Sequence, residues 1–208
     1  MISRRYLHSR SIAVIAAGFI AGIVAYPRLP GPFLERALFA RFLVAFALPA
    51  AALVIYALFR SLWAHDRIRS GNGAFEATYT SIVFRVLLFV VALHMLVMIQ
   101  LVGVQLPRTW AMRAVVVLLG LTFMAIGNLL PRTRPNVAVG VRTKRTMANG
   151  QIWNQVHRVG GYVTVFWGAV IAVAAIALSG PLLGLVISAA GLASIAVLLV
   201  SYRKYAGV

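Results

Sequence analysis

The chain reads as an all-α polytopic membrane protein, a bundle of six transmembrane helices with N- and C-termini cytoplasmic. Three observations predict this class. Hydrophobic residues fill 62% of the 208 positions, charged residues only 11%, and mean hydropathy is +0.93, far from the composition of an ordinary soluble domain. The apolar residues gather into six runs, each close to the ~20 residues a helix needs to cross the hydrocarbon core. The connections between runs hold nearly all the charge, and alternate connections hold unequal shares of it.

Lipid offers exposed backbone groups no hydrogen-bond partner, so runs of this length are expected to be helices. The first, Ser11 to Tyr26, follows Arg4, Arg5 and Arg10 and so imitates a secretory signal. It lacks a good A-x-A-like cleavage site and ends in "YPRLPGP", so it is expected to stay as the first span. The others run from Ala37 to Phe59, Ile82 to Val104, Ala111 to Leu130, Gly160 to Leu178 and Leu182 to Tyr202, giving one transmembrane domain over residues 1–208. Only "SGP" separates the last two, which predicts an antiparallel hairpin. Gly18 and Gly22 in the first span, and Gly180, Gly184 and Ser188 along the last hairpin, have the small-residue spacing that lets helices approach closely. No internal repeat is evident.

Charge sets the orientation. With the N-terminus inside, the cytoplasmic side carries fourteen cations: Arg4, Arg5, Arg10, Arg60, Arg67, Arg69, Arg132, Arg134, Arg142, Lys144, Arg145, Arg158, Arg203 and Lys204. The other side keeps five, Arg28, Arg36, Arg41, Arg108 and Arg113. That asymmetry is the positive-inside pattern, and it predicts a multi-pass membrane protein with both termini and the Pro131 to Arg158 loop cytoplasmic. Arg85 starts the third span and is expected to snorkel toward the inner headgroups. A net charge of +17 first suggests nucleic acid, but the cations are scattered among apolar runs and no nucleic-acid motif is present, so direct nucleic-acid binding is not expected. Anionic lipid headgroups are the expected partners of this charge.

The sequence excludes much chemistry. It has no cysteine, no HExxH, no GxSxG and no ligand spacing among His8, His65, His94 and His157, so neither metal, cofactor nor catalysis is expected. The three acids, Glu35, Asp66 and Glu76, are all placed in loops, which weighs against a proton relay. His94, near the middle of the third span with Gln100 beyond it, is the intramembrane polar candidate. It also reads as a core histidine needing one donor and one acceptor among its neighbours.

The longest cytoplasmic connection, "GNLLPRTRPNVAVGVRTKRTMANGQIWNQVHRVGG" from Gly127 to Gly161, carries six Arg or Lys residues and no acid. Pro131 should end the fourth helix, leaving Asn128 to cap or bridge its last carbonyls. The two prolines of "PRTRPN" favour extended geometry, which puts Arg132 and Arg134 on the same side. Such a pair makes a fork for phosphate or carboxylate, or anchors the helix end among anionic headgroups. Gly140 permits a positive-φ turn before Arg142, Lys144 and Arg145. Asn149 reads as the N-cap of a short interfacial helix, with Trp153 at headgroup level and His157 and Arg158 where the chain enters the bilayer. For His157, packing at the helix entry and contact with an anion are both open.

The succession "GNLLPRTRPN", "GVRT" and "IWNQVHRVGG" resembles the signature of the SdpI family of bacterial multispanning membrane proteins, named for an immunity protein against a secreted peptide toxin. The matching positions are Gly127, Asn128, Pro131, Arg132, Arg134, Asn136, Gly140, Arg142, Thr143, Thr146, Trp153, His157, Arg158 and Gly161. Lys144 and Arg145 stand where relatives commonly have Pro-Trp, and Asn149, Gly150 and Gln151 replace their usual acids. "YPRLPGPF" looks like a shortened form of the outer segment that follows the first helix in many relatives. The resemblance implies six helices and toxin immunity, with a peptide toxin or a cytoplasmic regulator as partner. It selects Asn128, Arg132, Arg134, Asn136, Arg142, Trp153, His157 and Arg158 as partner- or anion-binding candidates. The alternatives are a small-molecule or lipid transporter or binding protein, and a structural subunit of a membrane complex.

Overall fold

The computed structural model describes residues 2–29, 38–70, 76–104, 107–178 and 180–207, with side chains described from residue 8 onward and not at 38 or 67–70. The outer segment with Glu35 and Arg36, and the side chains of Arg4, Arg5, Arg67 and Arg69, lie outside the described residues. Six long helices form the bundle: α1 (Ile2–Ala25), α2 (Leu38–Ser70), α3 (Glu76–Leu101), α4 (Arg108–Gly127), α6 (Gly150–Ala177) and α7 (Gly180–Ala206), with a five-residue helix α5 (Lys144–Ala148) in the α4–α6 connection. Each long helix contains a window apolar enough to cross a membrane. Large apolar side chains such as Ile20, Val54, Leu185 and Val200 point outward, as a surface bathed in acyl chains requires.

The helices pack as two groups of three. In the first, α1, α2 and α3 touch one another around Ile15, Ala52, Trp63, Tyr79, Val83, Leu87 and Val91. In the second, α6 lies between α4 and α7, and the α3–α4 contact joins the groups.

Small residues decide how closely the helices approach. Pro49 inside α2 cannot donate to the carbonyl of Ala45 one turn earlier. Gly22 of α1 lies directly on that freed oxygen, where a Cβ would collide with Ala45 O and come within 3.0 Å of the Phe46 ring. A Cβ at Gly18 would meet Pro49 and Val91 at an ordinary 3.4 Å, so only Gly22 is sterically required. Two further pairs weld α4 to α6. A Cβ on Gly120 would be 2.8 Å from Ala172 N, one on Gly168 2.7 Å from Gly120 O, and one on Gly161 2.7 Å from Gly127 O. These glycines stand two turns apart on each helix, so one seam brings backbone against backbone.

The last two helices pack against each other as the short connection predicts, but the small-residue spacing is not what joins them. Nothing lies within 4 Å of a Cβ built at Gly180 or Gly184, and Ser188 is exposed. Instead α7 is held by Ala174, Ala175 and Leu183 with Val116, Val117, Leu178, Val186 and Ile187. The acids also differ from the expectation: Asp66 is buried in the last turns of α2, and Glu76 opens α3. Arg85 reaches back along its helix toward the N-terminal end of α3 and donates from Nη1 to Ser81 O at 2.9 Å.

Candidate functional site

The α4–α6 connection is a folded unit. α4 ends at Gly127, and the chain turns through a 3-10 turn, Leu130–Arg132, with Pro131 inside it, so Arg132 belongs to a helical turn and not to the extended segment expected of "PRTRPN"; a proline near the start of a turn suits its fixed φ. Asn128 continues the helix through its backbone, whose N–H donates to Met124 O at 3.1 Å, and its side chain is exposed. Thr133 is extended and buried; its hydroxyl donates to Leu130 O at 2.6 Å and accepts from Trp153 Nε1–H at 3.2 Å.

Asn136 organises the next turn. Its side chain is fully buried, and Oδ1 accepts from the N–H groups of Ala138 at 3.0 Å and Val139 at 2.8 Å. Nδ2 donates to Arg134 O at 2.7 Å and Val139 O at 3.1 Å, so both ends of the amide are satisfied within the loop. Arg142 braces the same turn by donating to Val137 O. Ala138 and Val139 pack against the core of the first helix group, so the loop touches both halves of the bundle.

His157 fastens the middle of the loop to α6. Its Nε2 accepts from Val141 N–H at 2.9 Å, which leaves Nδ1 as the protonated nitrogen, donating to Trp153 O at 2.8 Å. The imidazole stacks on the Trp153 indole, with centroids 3.8 Å apart and planes inclined by 16°. Gly140 makes this contact possible: its φ is +112°, and a Cβ there would overlap Nε2. The backbone therefore adopts a conformation that favours glycine because the ring occupies the remaining space.

The loop closes on two caps. Thr143 and Thr146 form a reciprocal capping box on α5, with Thr146 N–H on Thr143 Oγ1 at 3.2 Å and Thr143 N–H on Thr146 Oγ1 at 2.9 Å. Asn149 caps α6 as expected, accepting from Gln151 N–H at 2.8 Å and Ile152 N–H at 3.2 Å. Arg145 donates to Ala206 O, setting a cation at the C-terminal end of α7 where the helix dipole favours it.

The sequence-selected residues thus separate into two sets. Asn136, Trp153 and His157 are buried and hold the loop together; Asn128, Arg132, Arg134, Arg142 and Arg158 are exposed. Trp153 is completely buried, so it is no headgroup anchor, and the helix it belongs to is no separate interfacial helix but runs unbroken into the span as α6. The reason is local: Thr133 offers its indole N–H an acceptor and His157 covers its face, which satisfies the ring inside the protein. Thr133 was not singled out from the sequence, and Arg145 only as one of the loop's cations. Neither role has a local signal, since each depends on a partner many residues away.

His94 lies elsewhere, wholly buried in α3 beside the Gly18 backbone of α1. The Gly18 backbone is its polar neighbour, but neither ring nitrogen makes a well-formed hydrogen bond among the described residues. No group of three metal-ligating side chains comes together among the described residues.

Residues 132–201, about a third of the chain, match the SdpI/YfhL protein family. The matched segment begins at Arg132 and takes in most of the folded loop, all of α6 and most of α7. No curated protein and no solved structure matches the chain.

Proposed function

We propose that this is an SdpI-type membrane protein of the bacterial cytoplasmic membrane that confers immunity to a secreted peptide toxin, or transmits an envelope signal, through the basic face of its α4–α6 loop. The positive-inside distribution supports a cytoplasmic loop. One observation carries the reading: the loop is welded to α6 through Thr133, Trp153, Val141 and His157, and packs on the first helix group through Ala138 and Val139. A shift between the two groups would therefore move this surface. A ligand that binds one arrangement better than the other changes what Arg142 and Lys144, both exposed, present to a cytosolic partner.

The test is resistance and partner recruitment in a bacterium that depends on this gene under toxin challenge. Arg142→Gln with Lys144→Gln should abolish recruitment while the protein stays in the membrane at normal abundance. Unchanged resistance and recruitment would defeat the proposal. His94 favours a second reading, transport or lipid handling, because an enclosed imidazole with no well-formed hydrogen bond is a candidate contact for a passing solute. Flux into proteoliposomes that is equal for wild type and His94→Phe would remove that reading.

A further inference from the structure

We propose that Arg132 and Arg134 clamp the phosphate of an anionic phospholipid headgroup at the loop end of α4. This goes beyond the docking surface at Arg142 and Lys144 and uses different residues. The placement follows from the residue between them. Thr133 is 2% exposed and turned inward, held by Leu130 O and the Trp153 indole N–H. Its backbone is extended (φ −78°, ψ 157°), and Pro135 restricts Arg134 to extended geometry as well. Arg132 closes the 3-10 turn just before it, and with Thr133 turned inward both arginines that flank it are exposed. Two guanidinium side chains separated by one residue are long enough to converge on one phosphate.

The pair is also fixed from the other side, because Arg134 O accepts from the buried Asn136 amide at 2.7 Å. Ordering entropy that a flexible loop would lose on binding is thus largely spent on folding. Counter-charge is scarce: the sequence has no Asp or Glu after Glu76.

Depth and surroundings select a lipid over a soluble anion. The apolar span that contains α4 runs to Arg132, and Pro131 beside it packs against Gly161 of α6. Arg158, one turn from Gly161 toward the loop end, is exposed near the same level. Toward the other end, α4 exposes Leu121 and Phe123, and α6 exposes Tyr162 and Phe166. A phospholipid can place its phosphate at the arginines while its acyl chains run along exposed apolar helix surface below them; inorganic phosphate uses only the first.

The full-length protein in mild detergent, titrated with phosphatidylglycerol or phosphatidylcholine and read by native mass spectrometry, tests the clamp. Wild type should retain phosphatidylglycerol preferentially, and Arg132→Gln with Arg134→Gln should weaken that retention at least tenfold. Arg203→Gln with Lys204→Gln, which removes two exposed cations from the end of α7, should leave it within twofold. Lys at both clamp positions keeps the charge without the planar fork and should also lose several-fold; it carries the test if the Gln pair does not fold. Equal losses in the α7 control, undiminished retention with Lys or Gln at the clamp, or displacement of the lipid by equimolar inorganic phosphate would each overturn the proposal.

Discussion

Replacing Gly140 with alanine tests the assertion that the loop is a folded unit fastened by His157. The φ of +112° disfavours any L side chain, at a cost of about 1–3 kcal/mol. The new Cβ would also overlap His157 Nε2, with Cδ2 at 2.7 Å and Cε1 at 3.1 Å, so the ring must leave and the Val141 N–H loses its acceptor. That hydrogen bond contributes about 1 kcal/mol net, which brings the sum to about 2–4 kcal/mol. At about 1.4 kcal/mol per tenfold change, the open-loop population should rise roughly 30- to 700-fold. Tryptic cleavage after Arg142, Lys144 and Arg145 reports that population when cutting is slow relative to reclosing. Gly150→Ala is the control, because a Cβ there meets nothing within 4 Å and alanine at the start of α6 should be neutral or slightly stabilising. Cleavage of Gly140→Ala at the wild-type rate would refute the fastening.

Asn136→Ala removes four hydrogen bonds inside the loop and should destabilise it by about 3 kcal/mol or more, measured by the same cleavage assay. In the bundle, Gly22→Ala should lower the unfolding temperature in detergent by several degrees through its clash with Ala45 O, while Gly18→Ala should leave it nearly unchanged. Equal effects of the two would contradict the assigned contact. Because the chain has no cysteine, Asn149→Cys introduces a single thiol, which a membrane-impermeant maleimide should label only from the cytosolic face. Labelling of intact cells from outside would reverse the orientation and remove the basis for cytosolic docking.

The six helices were legible because the bilayer leaves an apolar run of this length no other way to satisfy its backbone. Asn149 was legible too, since an N-cap needs only the N–H groups of the next few residues. What these two share is locality: solvent or immediate neighbours settle the outcome. Trp153 and His157 are amphipathic rings that suit a headgroup layer or a protein interior equally well. Only the return of the chain, which brings Thr133 to the indole and Val141 to the imidazole, put them inside. The glycines divide in the same way. Gly120 and Gly168 make a backbone contact while Gly184 faces open space, although each looks alike within its own helix. Sequence fixes which segments are helical and where charge collects, whereas tertiary structure decides which small or polar residue meets a partner, because that depends on the register between helices far apart in the chain.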